Sequence, residues 1–516
     1  MNAGTNTITT NTNTTLTFGG LLEGANLTKN GLGTLVLSGN NTDFEGLMTI
    51  SAGALRIQHS NALGLTGLGR DTATFGTAYI SGGPITIVAS GAALELAGNI
   101  SVGDESLVLS GTGIVNGGGL RNVSGNNTWS GQIFLNAASR INSDAGTLTL
   151  TQQVTNAGTT GNNLTLGGAG NIVVQAAIAT NLNSTGAGTA ITGTTLTKDG
   201  SGTVTLQGAN TYTGLTTVAN GVLRIEGAVG SISTSSGLTI TGGAVVQIAN
   251  TFAATGVNRI GDAAALTFTG SGAFQFTNNG GLVNYTETLG QLVLSAGSAQ
   301  VSTTQAESGQ TSTLTFTGGL GTRGATATAN FSGVGLGDST RNRIVLSTAP
   351  TVTNGIMGGW ATVNGTDFAT YDTTATAGSV RALQTYTTTA ENTWAATNNV
   401  KVTADTTLTA GRTINSLNLT LAAATALNIG AGNTLAVNSG GLLVTGTGAG
   451  SINGGTLTAN TTGASNLFIH QYSSQALTIG SAIATMQGRS CDVGQVRYWN
   501  ARAHRREHLH RWYCIE

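Results

Sequence analysis

The amino-acid sequence predicts an all-β protein, a right-handed parallel β-helix in which short strands wind into a solenoid. Three observations predict this fold: a composition rich in glycine and poor in charge, an internal repeat, and apolar residues at every second position of short segments. The 516 residues include 79 glycines but only 2 prolines, and 8% are charged. The fold class therefore follows from composition, repetition and periodicity together.

The composition argues for a folded chain without long helices. Charged residues make up about a quarter of typical soluble proteins, far more than here, whereas apolar residues reach 39%. Intrinsic disorder normally needs high charge and low hydrophobicity, which is the opposite balance. Glutamate and lysine are scarce and glycine recurs every few positions, so long helices are disfavoured. Short strands joined by tight turns are the expected outcome.

Charge and hydropathy narrow the possible partners. The net charge is −1 and the chain has three lysines, Lys29, Lys198 and Lys401, so we expect no nucleic-acid partner and no binding to an anionic membrane surface. No apolar run is long enough for a membrane-spanning helix, and we expect no transmembrane segment. The start of the chain shows neither the basic nor the apolar region of a signal peptide. Cysteine is absent from residues 1–490.

Internal repetition is the strongest signal. Residues 27–57 read LTKNGLGTLVLSGNNTDFEGLMTISAGALRI and residues 196–225 read LTKDGSGTVTLQGANTYTGLTTVANGVLRI. The two stretches share LTK, G-x-GT, L-x-G, NT and G-x-LRI, and the first carries one extra residue. A degenerate third copy, SGNNTWSG, occupies residues 124–131. Such self-similarity predicts a solenoid, in which each unit buries its apolar face against its neighbours.

Alternation within each repeat predicts the core. In a strand, every second side chain points to the same face. Thr203, Thr205 and Gln207 are then expected to face water. The residues expected inside are Leu35, Leu37, Leu55, Ile57, Val204, Leu206, Leu223 and Ile225. The NT-x-x-G segments read as turns, because Asn and Gly tolerate positive φ.

The repeat resembles a known family. The pattern LTKxGxGTLxLSGxNTYxGxTxIxxGxL is similar to the autotransporter-associated β-strand repeat of bacterial passenger proteins. Residues 27–57 and 196–225 match it closely, and residues 119–151 match it loosely. The stretches 287–297, 358–371 and 414–421 resemble the intervening segments of such proteins. The resemblance implies a parallel β-helix, secretion and surface display, and it implies no catalytic site.

A parallel coil also explains the unusual composition. Neighbouring coils lie about 4.8 Å apart, so identical residues stack on one another. We expect threonine ladders on exposed faces, asparagine ladders at turns, and little charge, because a column of like charges would repel at this spacing. One coil is expected to take roughly 20–25 residues.

Three segments are predicted: residues 1–19 as the N-terminal edge of the solenoid, residues 20–485 as the β-helix, and residues 486–516 as an irregular tail. Residues 487–516 hold both cysteines, three of the five histidines and six arginines. Zinc binding by Cys491, Cys514, His504, His508 and His510, or nucleic-acid binding through the arginines with Trp499 and Trp512, would be functional interpretations. The wide separation of the cysteines, without any C-x-x-C pair, matches no closed zinc pattern.

A frameshift is the hypothesis we favour for this tail. Read from the second base of each codon, the tail can encode VKSGTGTLVLTGANTYTGGTVL, another copy of the repeat. Trp499 followed by Asn500, and Trp512 followed by Tyr513, must then give glycine whatever the codon usage. The coil is accordingly expected to stop near Ala484, because Arg, His and Trp cannot continue the alternation without burying charge.

Candidate catalytic residues are few and isolated. Parallel β-helix lyases and hydrolases need clustered carboxylates with a base or a bound calcium. The aspartates here are scattered: Asp43, Asp71, Asp104, Asp144, Asp199 and Asp262. Asp338 with Arg341 and Arg343 reads as a solvated loop, and His59 and His470 are expected to be structural or exposed. Trp129, Trp360 and Trp394 could stack on sugars but are expected to fill junctions between loops and core.

The sequence therefore predicts a structural or adhesive, surface-displayed passenger module and not an enzyme. No catalytic, cofactor-binding or metal-binding residue is assigned, and no cofactor is expected. The alternative is a carbohydrate-active β-helix of the lyase or hydrolase type. Host surfaces, glycans or neighbouring cells are the expected ligands, and the location is extracellular, at the outer membrane. We expect the chain to be a piece of a longer passenger with a translocator or anchor elsewhere.

Overall fold

A computed structural model describes residues 6–24, 26–64, 72–75, 78–81, 85–157, 161–179, 193–250, 258–278, 283–305, 309–373, 378–459, 466–484 and 493–497. Regular structure in these ranges is β-strand, apart from two single 3-10 turns, Ile114–Asn116 and Glu391–Thr393. No helix in them has the length and hydrophobicity to cross a membrane. The chain divides into two compact units: Met1–Thr267 with Gly272–Gly290, and Phe268–Ser271 with Gln291–Glu516.

The first unit is built from short strands. In chain order they are β1 (Asn6–Thr9), β2 (Thr15–Phe18), β3 (Leu27–Asn30), β4 (Thr34–Leu37), β5 (Met48–Ile50), β6 (Ala54–Ile57), β7 (Thr72–Phe75), β8 (Ala78–Ser81), β9 (Ile85–Val88), β10 (Ala93–Ala97), β11 (Ser101–Val102), β12 (Ser106–Gly111), β13 (Leu120–Ser124), β14 (Asn127–Trp129), β15 (Ile133–Ser143), β16 (Thr147–Leu150), β17 (Val154–Asn156), β18 (Leu164–Gly167), β19 (Asn171–Val174), β20 (Leu196–Lys198), β21 (Thr203–Leu206), β22 (Thr216–Val218), β23 (Val222–Ile225), β24 (Gly237–Ile240), β25 (Ala244–Asn250), β26 (Ala265–Phe268), β27 (Gly272–Asn278) and β28 (Tyr285–Leu289).

Three parallel ladders build this unit. The first joins β1, β3, β5, β9, β12, β15 and β17. The second joins β2, β4, β6, β10, β13, β15, β18, β20, β22 and β24. The third joins β11, β14, β16, β19, β21, β23, β25 and β27. Parallel pairing of strands that lie one coil apart is the topology of a parallel β-helix, as the sequence predicts.

Coil length can be read from the residues that pair, because partners in a parallel ladder lie one coil apart. Leu27 pairs with Met48 in the first repeat and Leu196 with Thr216 in the second. Both separations lie at the lower end of the expected range. Leu55 pairs with Leu94, so this coil is nearly twice as long, and it contains the antiparallel pair β7 and β8. Extra residues are therefore placed in excursions between strands, and the ladders continue.

The predicted core is confirmed. The eight apolar residues expected inside are 0–1% exposed, because alternate side chains of each strand point into the coil. Thr203 and Gln207 are partly exposed, as expected. Thr205 is buried instead, since it lies between Val173 and Arg224 in the third ladder. A threonine ladder is present as well: Thr165, Thr197, Thr217 and Thr239 pair in succession on the partly exposed face of the second ladder.

The strands of the second unit follow in chain order. They are β29 (Leu292–Leu294), β30 (Ser298–Gln305), β31 (Ser312–Phe316), β32 (Leu320–Arg323), β33 (Thr328–Ser332), β34 (Asn342–Leu346), β35 (Ala361–Val363), β36 (Asp367–Asp372), β37 (Ser379–Ala382), β38 (Asn399–Val402), β39 (Thr406–Thr407), β40 (Arg412–Leu421), β41 (Thr425–Asn428), β42 (Thr434–Gly446), β43 (Gly450–Asn453), β44 (Thr456–Thr458), β45 (Leu467–Gln471), β46 (Leu477–Ile479), β47 (Ala482–Ile483) and β48 (Val493–Arg497). Parallel ladders again dominate, for example β38, β40, β42 and β45, or β39, β41, β43 and β46.

An antiparallel hairpin interrupts the parallel coils of the second unit. β35 continues a parallel ladder from β33, but β36 runs antiparallel to β35 and to β37. We call residues 358–372 the docked hairpin, because they pack across later coils. They contact a column of residues that stack in register: Lys401, Asn418, Leu443 and His470.

Each member of this column meets the docked hairpin differently. The Nζ of Lys401 lies 3.7 Å from Asp367, and Asn418 donates to the carbonyl of Thr366 at 3.1 Å. Leu443 packs on Phe368. His470 donates through Nε2 to the carbonyl of Gly359 at 2.8 Å. Polar contacts on either side of an apolar contact therefore fix the hairpin to the coils.

The C-terminal tail differs in part from expectation. The last strand before the predicted tail is β47, which pairs in parallel with β44. Beyond it, the backbone of Val493–Arg497 forms a strand that pairs in parallel with Leu467–Gln471. The expectation of an irregular chain is wrong for these five residues, because ladder hydrogen bonds use main-chain groups whatever the side chains are. Cys491, Cys514 and the three tail histidines lie outside the described residues.

A core substitution tests the coil. Replacing Leu35, which is fully buried, by Ala should cost about 2–5 kcal/mol, because a cavity remains in the packed interior. The matched control is Leu32, which is 67% exposed three residues earlier, and its replacement by Ala should cost less than about 0.5 kcal/mol. Hydrogen exchange of the amides in β4 and β6 measures the local opening free energy. Equal effects of both changes would contradict the assignment of Leu35 to the core.

Acid should loosen the docked hairpin through His470. Burial lowers the pKa of His470 from its usual 6.5 to about 4, so the folded state binds the proton more weakly than the unfolded state does. The contribution to stability is then complete above about pH 6.5 and is lost as the pH falls towards about 4.

Hydrogen exchange of the hairpin amides, followed from neutral pH down to about pH 4, checks this prediction. The His470→Gln variant keeps a donor for Gly359 but cannot titrate in this range, so its hairpin should lose less protection as the pH falls. Identical pH profiles of the two proteins would show that carboxylates elsewhere cause the loosening. Charged groups around the docked hairpin include Lys401 and Asp367, which form an ion pair, and Arg323, which lies over the rings of Trp360 and Phe468.

Candidate functional site: the buried lysines of the repeat

The lysine of each LTK motif points into the coil. Leu27 and Lys29 are two residues apart in β3, as are Leu196 and Lys198 in β20, so each pair shares one face of its strand. The leucines belong to the core, and the lysines are accordingly 0% and 1% exposed. A buried ammonium group is costly unless it is paired and hydrogen-bonded. The surroundings of Lys29 and Lys198 therefore decide what these residues do.

Each lysine donates to three backbone carbonyls. The Nζ of Lys29 bonds the carbonyl oxygens of Asn30, Gly31 and Ala52 at 3.0, 2.8 and 2.9 Å. The Nζ of Lys198 bonds those of Asp199, Gly200 and Asn220 at 2.7, 2.8 and 2.9 Å. Two acceptors lie in the turn after the lysine, and the third lies one coil later. We call this arrangement the lysine clamp.

Glycine makes the clamped turn possible. Gly31 and Gly200 have φ of 75° and 70°, values that side chains with a Cβ rarely adopt. A Cβ on Gly31 would also overlap the carbonyl oxygen of Thr10 in the preceding coil. The turn thus packs backbone against backbone, and its carbonyls cannot reach water freely. The ammonium group satisfies them instead, using all three of its donors.

Burial changes the acidity of both clamps. Desolvation lowers the pKa of Lys198 to about 8, opposed by the nearby charge of Asp199. The pKa of Lys29 is lowered for the same reason. The three carbonyl oxygens favour the charged form of the lysine. Neutral pH lies below the pKa of Lys198, so this side chain keeps its proton. Each clamp is therefore a buried cation held by main-chain dipoles.

Other residues satisfy corner carbonyls in the same way. Arg323 donates through Nη1 to the carbonyls of Gly324, Ala325 and Ala327 at 2.9, 3.1 and 2.8 Å. In the degenerate third copy, Asn122 donates to the carbonyls of Gly125 and Ala145 at 3.2 and 2.8 Å. Ala145 follows Asn122 at the same separation as Ala52 follows Lys29. The corner thus keeps a side-chain donor even where the lysine is replaced.

A buried asparagine braces adjacent coils in all three copies. Asn41, Asn127 and Asn210 are 0–2% exposed. Their Oδ1 atoms accept from the backbone N–H of Leu22, Ile100 and Ile178, one coil earlier, at 3.0, 2.7 and 2.8 Å. Asn41 and Asn210 follow β4 and β21, whereas Asn127 begins β14 and lies at the ladder position of Val204, so the structure does not place the third copy in the register that its sequence alignment gives. The expected asparagine stacking occurs beside Asn41, where Asn61 donates to Asn40 at 2.9 Å.

Charged residues alternate in sign along the second ladder. Glu95 pairs with Arg56 at 2.7 Å and with Arg121 at 3.1 Å, and Arg121 pairs with Asp144 at 2.6 Å. Asp144 accepts from Asn142, which in turn accepts from Arg140. Sequence reasoning predicted that like charges would be excluded from such a column, and in this column neighbouring charges are opposite.

One ion pair forms across an intervening strand, at a glycine of that strand. Arg140 holds Asp199 with two hydrogen bonds of 2.7 Å, although β18 lies between β15, which contains Arg140, and β20, which Asp199 directly follows. Gly167 in β18 leaves the space, because a Cβ there would overlap the carboxylate of Asp199 and crowd the guanidinium of Arg140. The pair therefore depends on the absence of a side chain at residue 167.

The candidates considered from sequence are not brought together. Asp338 accepts from Gln384, while Arg341 and Arg343 donate to the carbonyls of Gln305 and Gly378. His470 is buried in a structural contact, as expected. Trp129, Trp360 and Trp394 are at most 8% exposed, which places them at the core. In the described ranges, no three His, Cys, Asp or Glu residues lie close enough to hold a metal ion.

The lysine clamp was missed by sequence reasoning, although a signal was present. Lys29 and Lys198 occupy the inward phase of an alternating strand, directly before a glycine turn. An inward lysine at the same place in two repeats indicates a buried cation with fixed acceptors. Its three acceptors could not be identified, because they depend on how the next coil lies against the turn.

Removing a clamp should open its two coils. Lys198→Met keeps the length of the side chain but leaves three buried carbonyls without a donor, at a cost of about 2–4 kcal/mol. Lys401→Met is the control, because this partly exposed ion pair is worth less than about 1 kcal/mol. Hydrogen exchange of the amides in residues 199–206 and 219–225 measures the opening. Unchanged protection in Lys198→Met would show that the clamp does not stabilise the corner.

Comparison with known families singles out the same residues. The family model described as passenger-associated-transport-repeat matches residues 27–57 and residues 196–225. These two stretches are the copies that the sequence identified as similar to the autotransporter repeat, and each contains one lysine clamp. No curated protein and no solved structure gave a significant match. The chain is therefore a parallel β-helix that carries two repeats of the autotransporter passenger family.

Proposed function

We propose that this chain is a non-catalytic scaffold of an autotransporter passenger, displayed at the bacterial surface with a structural or adhesive role. The observation that supports this proposal is that the buried charged side chains bond to groups of the protein itself. Lys29, Lys198 and Arg323 donate to corner carbonyls, and Arg140 joins separate coils. Catalysis instead needs charged groups aimed at a reacting substrate.

The faces of the coils support a role in presenting a surface. Thr165, Thr197, Thr217 and Thr239 follow one another on successive coils and remain partly exposed. A regular row of hydroxyl groups can donate and accept hydrogen bonds along its length. Host-cell surfaces, glycans and neighbouring cells offer extended polar ligands that can form hydrogen bonds with such a row. The proposed location, outside the cell at the outer membrane, agrees with the family of the two repeats.

A polysaccharide assay separates this scaffold from a carbohydrate-active β-helix. The purified chain, incubated with pectin, alginate and related polymers, should release no new chain ends above a heat-denatured control. Retention of a polymer without turnover would support the adhesive role. Reproducible cleavage that is abolished by Asp338→Asn would support the lyase or hydrolase alternative and overturn the proposal. Asp405→Asn serves as the matched control for a change at another exposed carboxylate.

A further inference from the structure

Two Asn–Gly peptides next to the lysine clamps share one arrangement. Asn30 precedes Gly31 in the first repeat, and Asn220 precedes Gly221 in the second. In each, the glycine N–H donates to the Oδ1 of the preceding asparagine, at 2.8 and 2.7 Å. The glycine nitrogen thus lies against the side-chain amide that it would attack to close a five-membered imide ring.

The clamp contacts the same peptide group. Lys29 bonds the carbonyl oxygen of Asn30 at 3.0 Å, and Lys198 bonds that of Asn220 at 2.9 Å. When the glycine nitrogen loses its proton, negative charge moves onto this carbonyl oxygen. An ammonium group already bonded there stabilises the charge, as a preorganised donor stabilises an oxyanion. The lysine therefore makes the glycine N–H more acidic and its nitrogen easier to turn into a nucleophile.

Access and sterics also favour reaction at these peptides. The side chains of Asn30 and Asn220 are exposed, so water and hydroxide can reach them. Glycine presents no Cβ against the approaching amide. Gly31 and Gly221 have φ of 75° and 66°, so glycine is also the residue that this backbone conformation favours. The two turns thus retain a reactive dipeptide where the fold restricts substitution.

We infer that Asn30 and Asn220 are sites of self-catalysed deamidation, promoted by Lys29 and Lys198. Hydroxide removes the glycine N–H proton, and the nitrogen forms a bond to Cγ of the asparagine. The Cγ–Nδ2 bond then breaks. Nδ2 takes a proton from water and leaves as ammonia, which restores hydroxide. Water then opens the imide at either carbonyl, giving aspartate or isoaspartate. The net reaction consumes one water and releases one ammonia, with no redox change.

The chain carries its own controls. Asn116, Asn354, Asn364 and Asn453 also precede glycine in the described ranges, and none of them has a lysine bonded to its carbonyl there. The carbonyl of Asn354, for example, accepts from the neutral amide of Asn399 at 2.6 Å. These four peptides share the Asn–Gly dipeptide but lack the neighbouring ammonium group.

Peptide mass spectrometry after incubation at neutral pH and physiological temperature tests the inference. In the native protein, Asn30 and Asn220 should convert to acid at least about tenfold faster than the four control sites. In urea all six should react at similar rates, because the unfolded chain removes the contacts. The inference is overturned if Asn30 and Asn220 react more slowly in the native protein than in urea, or no faster than the controls.

A lysine variant assigns the cause. In Lys198→Met the rate at Asn220 should fall about tenfold towards the control sites, while the rate at Asn30, which keeps Lys29, stays unchanged. An unchanged Asn220 rate in a folded variant would remove the role of the lysine. The comparison of native protein with urea needs no variant, so the inference stays testable if Lys198→Met fails to fold.

The pH profile is a second readout. Because the pKa of Lys198 is about 8, the advantage of Asn220 over the controls should shrink above that pH, as the ammonium loses its proton. Asp199 and Arg140 are the charged groups that act on Lys198. A constant advantage across this range would contradict promotion by the charged lysine.

Discussion

Backbone carbonyl groups that converge at the corners of the coil are the constraint on which the rest of this structure depends. A solenoid closes each turn within a short stretch of chain, and its tight glycine corners point several carbonyls at one place, with the next coil covering them. Unpaired polar groups in such a position destabilise the fold. Lys29 and Lys198 satisfy such carbonyl groups. Each ammonium group donates to three acceptors, two in its own turn and one in the next coil. The same atoms therefore satisfy a corner and join two coils.

This constraint also explains which charges a weakly charged chain retains. Side chains repeat about every 4.8 Å along a ladder, so a charge is tolerated where its neighbours are carbonyl dipoles or groups of opposite sign. The clamps show the first solution, and the sequence Arg56, Glu95, Arg121 shows the second. Neutral buried asparagines, such as Asn41, brace coils without any charge. The charged side chains in this fold thus help to hold coils together.

Much of the fold could be predicted from sequence, because it depends on periodicities that adjacent residues display. Leu35 and Ile57 had to be inside once the alternation was recognised. Features set by contacts between distant residues could not be predicted. The docked hairpin depends on Leu443 and His470, which lie several coils after the hairpin in the sequence. The lysine clamp lay between these cases: the inward lysine was visible in the sequence, whereas its acceptors in the next coil were not.

The space left by Gly167 has a consequence for how such a protein can change over generations. Solenoids usually tolerate the gain or loss of whole coils, because each coil contacts only its neighbours. Arg140 and Asp199, however, lie two coils apart and meet over a residue without a side chain. A duplication or deletion of one coil between them would leave the guanidinium and the carboxylate out of reach of each other. Residues 140–199 should therefore be inherited as a block, whereas coils that contact only their neighbours can still be gained or lost whole.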